Sequence, residues 1–274
     1  MTEPLVVADR LRKVYRTRSA AGRRRVTVVA VDGVSFQLAA ERSLAIVGES
    51  GSGKTTVARL VVGLERPTSG SIVVCGRERR GRPGGAGERL RRAREVQIVF
   101  QDPYASLDPR QCVADSVDEV LGLHDRGSRL ARRQQVSRLL ELVGLDGRHG
   151  EAVPRMLSAG QRQRAAIARA LAVQPRVLVL DEAVALLDVS IQAQILNLLA
   201  DIREQTRLSY IVISHDLAVV RQVADEILVM QAGGIVERGP TARILTEPAH
   251  PHTRGLLAAV PRPGWLLDRS KRGS

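Results

Sequence analysis

The run Gly48-Glu49-Ser50-Gly51-Ser52-Gly53-Lys54-Thr55, continued by Thr56, sets glycines, a lysine and a hydroxyl at the spacing of a loop that wraps phosphate. Gly48, Gly51 and Gly53 let consecutive backbone N–H groups turn inward on an anion. A helix starting near Lys54 adds its partially positive N-terminus. Lys54 is expected to reach the β- and γ-phosphates of ATP, and the Thr55 hydroxyl to ligate Mg²⁺. The flanks agree, because the apolar run Leu44-Ala45-Ile46-Val47 precedes the loop and Val57, Leu60, Val61 and Leu64 follow at helical spacing. Lysine occurs only at Lys13, Lys54 and Lys271 among 42 basic residues. The compact ammonium is kept where a forked guanidinium fits poorly.

Val177-Leu178-Val179-Leu180 reads as a buried strand that delivers Asp181 and Glu182 to a sheet's C-terminal edge, where such folds place ligands. Asp181 suits the Mg²⁺ shell through water, and Glu182 is placed to polarise an attacking water. Alone, such an acidic pair reads equally well as ordinary loop carboxylates; downstream of a phosphate loop it acquires a task. Ser214-His215-Asp216 follows the strand Tyr210–Ile213 in the same way, and an imidazole there can hydrogen-bond a γ-phosphate and hold water in line. Gln101 ends the strand Val96–Phe100, with an amide able to touch Mg²⁺ and water while tied to the segment beyond.

Leu157-Ser158-Ala159-Gly160-Gln161 offers a hydroxyl and small-residue amides opening a helix from about Gln161, which is a second anion site. A chain that already owns a phosphate loop has no nucleotide of its own left for it. The second site therefore implies a nucleotide brought by a partner.

The elements that must position these groups alternate between strands and helices, which implies an α/β fold with a mostly parallel, covered sheet. Leu5 to Tyr15 and Val26 to Leu38 read as strands of a small β-subdomain around a basic turn at residues 16–25, and Ser71–Val74 as another strand. Gly81 to Gly87 reads as a surface excursion. Val113 to Leu145 reads as an inserted helical lobe, with Leu139, Leu140, Leu142 and Val143 as its apolar stripe. Further helices are expected over Ala165–Val173, stopped by Pro175, and Val189–Arg203, with a last strand at Ile227–Met230. No internal repeat is found, so one nucleotide unit is expected.

At 274 residues the chain can bury one large core. No apolar run approaches ~18 residues, so it is not expected to cross a bilayer alone, and its start does not resemble a signal peptide. Cys75 and Cys112 lack metal-ligand spacing and read as free thiols. The net charge of +13 admits a solvated arginine exterior first, an anionic membrane surface second and nucleic acid last; with 2% aromatic residues, stacking platforms for single strands are not expected. The clusters Arg23-Arg24-Arg25, Arg79-Arg80 and Arg91-Arg92 fall in loops or on polar helix faces.

Taken together, these motifs resemble the ATP-binding subunit of an ABC transporter, over nearly the whole chain. The resemblance implies a P-loop NTPase with a RecA-like, mostly parallel core, an antiparallel β-subdomain and an inserted helical subdomain. Tyr15 becomes the candidate adenine-stacking aromatic, His215 the switch histidine, and Asp188 lies in the loop between two sites. Two such subunits sandwich two ATP molecules head to tail, so Ser158, Ala159, Gly160 and Gln161 serve the partner's site. Narrower features resemble the oligopeptide/dipeptide and nickel importer branch: Phe100 to Arg110, Asp188 to Leu196, and the tail Glu247 to Leu257. The implied division is a nucleotide-binding domain over 1–246, with its helical insertion at about 102–160, and a tail over 247–274.

The implied partners are two permease subunits, a second ATPase subunit and, indirectly, an extracytoplasmic solute-binding protein, with no nucleic acid; the implied place is the cytoplasmic face of the membrane, as a peripheral protein. Ala159 stands where the family usually has glycine, Ala183 and Ala185 where proline and serine are commoner, and His252 where tyrosine is usual. The tail lacks the cysteines that hold an iron–sulfur cluster in some relatives, so none is expected. Nickel or another small solute remains an alternative cargo. A soluble ABC ATPase acting on ribosomes or DNA is disfavoured, since neither a tandem domain nor a long coiled-coil insertion is present. A non-hydrolysing regulatory binder is disfavoured by Glu182 and His215.

Overall fold

Two long strands rich in β-branched residues, β1 (Val6–Arg18) and β2 (Arg25–Leu38), pair antiparallel at the start of the chain. The chain then runs through β3 (Ser43–Val47) and helix α1 (Lys54–Val62) before returning with β4 (Ser69–Val74) and β5 (Arg77–Glu78), which complete a four-stranded sheet in the order β2-β1-β4-β5. Next come α2 (Ala86–Glu95), β6 (Val96–Val99), α3 (Val113–His124), α4 (Arg129–Leu142), α5 (Gly147–Glu151) and α6 (Ala159–Leu171). β7 (Val177–Asp181), α7 (Val189–Thr206), β8 (Ser209–Ser214), α8 (Leu217–Val223), β9 (Glu226–Gln231), β10 (Gly234–Pro240), α9 (Thr241–Thr246) and α10 (Pro251–Ala258) follow. This computed structural model describes residues 3–18, 25–79, 81, 83–124 and 127–259.

The second sheet runs β10-β9-β3-β8-β7-β6, parallel except at the β10 edge. Every residue of β3, β7 and β8 is buried, as expected of parallel strands covered on both faces. Alternation divides the core in two. Leu44, Ile46, Val179, Ile211 and Leu228 face α1 and the first sheet, whereas Ala45, Val47, Leu178, Leu180, Val212 and Val229 face the helices α6, α7 and α8. Each such buried Val, Leu or Ile side chain contributes about 1.5–3 kcal/mol. In the helical lobe Val113, Val117 and Leu121 recur every four residues and join Val136 and Leu140 of α4 in the larger cluster.

Several boundaries differ from the expectations. The stretch read as a helical lobe over 113–145 holds two helices, α3 and α4, with Ser128 capping α4 by accepting the Ala131 N–H at 3.2 Å. Helix α6 starts at Ala159, two residues before Gln161, and ends at Leu171, four residues before Pro175. The glycine-rich excursion ends early, because α2 begins at Ala86 and is braced by Glu88, whose carboxylate takes Arg92 at 2.5 Å. The solvated reading of the arginines fails at Arg79: its side chain is 5% exposed and pairs with Glu95 at 2.9 Å. Burial beside a carboxylate, not solvation, holds that guanidinium. Among the expectations, the turn tip at 19–24 with Arg23 and Arg24, Arg80, Arg82 and the tail beyond residue 259 lie outside the described residues. Among the described residues no helix is long and apolar enough to cross a membrane.

Candidate functional site

The phosphate loop leaves the end of β3 at the centre of the second sheet. Gly48 and Gly53 have φ of 151° and 102°, and a β-carbon on either would lie 2.2 Å from a backbone oxygen, that of Met230 and that of Ala30 respectively. Strand β9 thus walls one side of the loop and the antiparallel β2 the other. Gly233 ties the two walls, donating to the Ser52 carbonyl at 3.1 Å and accepting from the Asp32 N–H at 2.9 Å. Gly51, at φ 81°, faces open space, and Glu49 and Ser50 are exposed. Helix α1 begins at Lys54 with no side-chain cap, so its first N–H groups are free to meet an anion.

Lys54 folds back over the loop and donates to the Gly48 and Glu49 carbonyls, each at 2.8 Å. Burial pushes its pKa down, against the attraction of Glu182 and Asp181. The Ser52 hydroxyl is buried without a partner, and such an orphan polar atom is what a phosphate oxygen would satisfy. Beside it the Thr55 hydroxyl donates to Asp181 Oδ1 at 3.1 Å, across 126 residues of sequence. Thr56 follows, half-buried, in the first turn of α1. Burial raises the Asp181 pKa, opposed by the Thr55 hydrogen bond. The half-buried Thr55 hydroxyl and the buried Asp181 carboxylate beside this loop form a hard oxygen set that fits Mg²⁺.

Glu182 follows at φ 50°, an uncommon left-handed conformation outside glycine, fixed by its N–H donating to the Ile213 carbonyl at 3.0 Å. Its carboxylate meets His215 Nδ1 at 3.4 Å, the imidazole being the more exposed partner. Strands β7 and β8, neighbours in the sheet, bring these two side chains together. Below His215, the Ser214 hydroxyl accepts the Asp216 N–H at 2.9 Å, and Asp216 caps α8. Gln101 stands exposed just past β6, two strands beyond β8. Tyr15 lies on β1 opposite Val28, two residues along β2 from Ala30, and its ring carries the Lys13 ammonium 4.9 Å from its centre.

The segment expected to offer a second anion site opens α6. Ser158 caps α6, accepting the Gln161 N–H at 3.2 Å, while the Gln161 side chain accepts the Ser158 N–H at 2.8 Å. Ser158 and Ala159 are exposed, and Gly160 is buried against α7, where a β-carbon would meet Ile191 Cγ2 at 2.5 Å. Asp188 caps α7 by accepting the Ile191 N–H at 2.9 Å, so the loop after Glu182 and this segment lean on the same isoleucine. Sequence reading missed the walls of the loop, the Ala30 and Met230 carbonyls and Gly233; backbone groups leave no side-chain signal to find.

Comparison with known proteins yields two family models, "ABC transporter" over residues 31–185 and "Oligopeptide/dipeptide transporter, C-terminal region" over residues 236–273. The chain is similar to the di/tripeptide transport ATP-binding protein DppF of Pseudomonas aeruginosa, at 47% identity over 94% of this chain and 80% of the relative. It is similar too to the dipeptide transport ATP-binding protein DppF of Haemophilus influenzae, at 44% identity over 98% of this chain and 81% of that one. Among solved structures, a dimeric ATP-binding cassette in a post-hydrolysis state, bound to ADP and Pi, superimposes with a TM-score of 0.76 at 26% identity, covering 86% of this chain and 98% of that chain.

Proposed function

Since the chain belongs to the ABC transporter family and is an ATPase of the P-loop type, we propose that it energises the import of dipeptides or oligopeptides through a membrane permease. The observation that carries the hydrolytic part is the convergence of Lys54, Thr55, Asp181, Glu182 and His215 at one edge of the sheet. The C-terminal match over 236–273 supports the peptide cargo, as do the relatives' names.

In this reading the loop amides of Gly48, Glu49, Ser50, Gly51, Ser52 and Gly53 and the start of α1 hold the nucleotide phosphates. Lys54 exchanges its two loop carbonyls for phosphate oxygens. Thr55, Asp181 and Gln101 would hold Mg²⁺, which screens the phosphate charge when bound. Glu182 orients the attacking water and His215 holds the γ-phosphate. Tyr15 stacks on the adenine. Ser158, Ala159, Gly160 and Gln161 reach the nucleotide of a second ATPase subunit in a head-to-tail dimer, with Asp188 between the two sites. A division into a nucleotide-binding domain over 1–246, with the helical insertion at about 102–160, and a tail over 247–274 fits this reading, as does a peripheral place at the cytoplasmic membrane face beside two permease subunits. The extracytoplasmic binding protein acts through those permeases.

The test is uptake of a labelled dipeptide by cells carrying wild-type or Lys54→Ala chain. Loss of uptake only in the variant is expected. Unchanged peptide uptake alongside lost Ni²⁺ uptake would move the cargo to the metal ion.

A further inference from the structure

Gln161 is held from two sides. The Ser158 backbone N–H, 2.8 Å from one terminal atom of the Gln161 amide, can only donate, so that atom is the oxygen. The amide nitrogen then points at His149 Nε2, 2.9 Å away across the gap between α6 and α5. An amide NH₂ is a donor only, so this ring nitrogen must accept and the imidazole proton must sit on Nδ1. Asp146 Oδ1 lies 2.7 Å from Nδ1, ready to take that proton's hydrogen bond. The Asp146 backbone N–H, 3.2 Å from the same nitrogen, makes the weaker claim; honouring it would set a protonated Nε2 against the Gln161 NH₂.

We propose that Asp146, His149 and Gln161 form a directed hydrogen-bond chain in which His149 is a positioning residue for Ser158 and Gln161, holding the segment that faces the partner's nucleotide. The chain starts at a carboxylate and ends on the Ser158 backbone. Without its His149 partner the Gln161 amide rotates, and the Ser158 cap loses one of its two bonds. His149 acts through Gln161, and nothing in its sequence neighbourhood marks it. This rests on the proposed role of Ser158 and Gln161 toward a second nucleotide.

Two side chains separate the halves of the imidazole. Asparagine reproduces the donor at Nδ1 but has nothing at the Nε2 position, whereas glutamine places an oxygen near Nε2. ATP turnover of the full chain in its assembled transporter is therefore expected to fall about fivefold to tenfold in kcat for His149→Asn, the loss of one hydrogen bond. His149→Gln should restore it, and ATP affinity of the chain's own phosphate loop should stay at the wild-type value in both. Long-range ¹H–¹⁵N spectra of histidine-labelled protein, assigned by the signal missing from His149→Asn, should show a protonated Nδ1 and a bare Nε2. A protonated Nε2 in wild type would overturn the chain of bonds. Should Ser158→Arg abolish turnover while His149→Asn matches wild type, His149 loses its role and the reading of the segment stands. Should Ser158→Arg itself leave turnover intact, the reading of the segment falls and the proposal with it.

Discussion

Desolvation holds the Lys54 ammonium below its usual pKa while two carbonyls of its own loop occupy it. A phosphate offers that buried charge a stronger partner, since hydrogen bonds between ionised groups are worth about 1.5–3 kcal/mol. Lys54→Ala should therefore weaken ATP binding on the order of a hundredfold with the fold retained, read by nucleotide titration beside thermal unfolding. Asp181 presents the opposite sign. Its pKa is raised by burial, so the folded state binds that proton more tightly than the unfolded chain does, and stability declines as pH rises from the ordinary carboxylate range through the raised value. Asp181→Asn should raise the unfolding temperature of the nucleotide-free protein, more at pH 7.5 than at pH 4.5, while lowering turnover on the order of a hundredfold. A pH-independent gain would detach the effect from the Asp181 carboxyl.

At the scale of elements, the contact between α6 and α7 sets where the Ser158–Gln161 segment stands. Gly160 lets the first turn of α6 lie directly on Ile191, whose own N–H is fixed by the Asp188 cap. Gly160→Ala gains helix propensity but drives a methyl into Ile191 Cγ2, and overpacking of this kind costs about 1–3 kcal/mol. Adding Ile191→Ala removes the obstructing carbon, so denaturant unfolding of the double variant should recover part of the loss, a coupling that independent sites do not show. The apolar runs of β3, β7 and β8 were legible in the sequence because burial on both faces leaves an unbroken local signature. Helix α2 was not. Its ten residues carry no apolar stripe to read, and its i,i+4 arginine–glutamate pairs, worth about 0.2–0.5 kcal/mol each, are a weak signal beside the glycine-rich run that precedes them.

For the whole molecule, the exposure of Ser158 and Ala159 fits an assembly in which each subunit completes the other's site. Glu182→Gln should retain ATP binding, lower turnover by a factor of about a hundred or more, and leave an ATP-dependent dimer visible by size exclusion, with the second ATPase subunit present if the pair is unlike. Adding Ser158→Arg should abolish that dimer, because a long side chain fills the space that the γ-phosphate needs. Turnover at the wild-type rate in Glu182→Gln would remove that carboxylate from the mechanism.

The sequence by itself determined where the candidate chemistry lies: the glycine-rich loop with Lys54, the carboxylate pair, His215 and the Ser158–Gln161 segment all lie in short contiguous motifs whose spacing is local. It also determined which strands are buried, since period and apolarity are local as well. The tertiary structure alone decided which of these groups meet. Thr55 reaches Asp181, and Glu182 reaches His215, because the strand order β3-β8-β7 brings distant segments to one edge, and no periodicity encodes strand order. The same holds for the pairing of Arg79 with Glu95, the approach of Gly160 to Ile191 and the link from Gln161 to His149. Each depends on how elements pack, a property of the folded chain that no window of sequence contains.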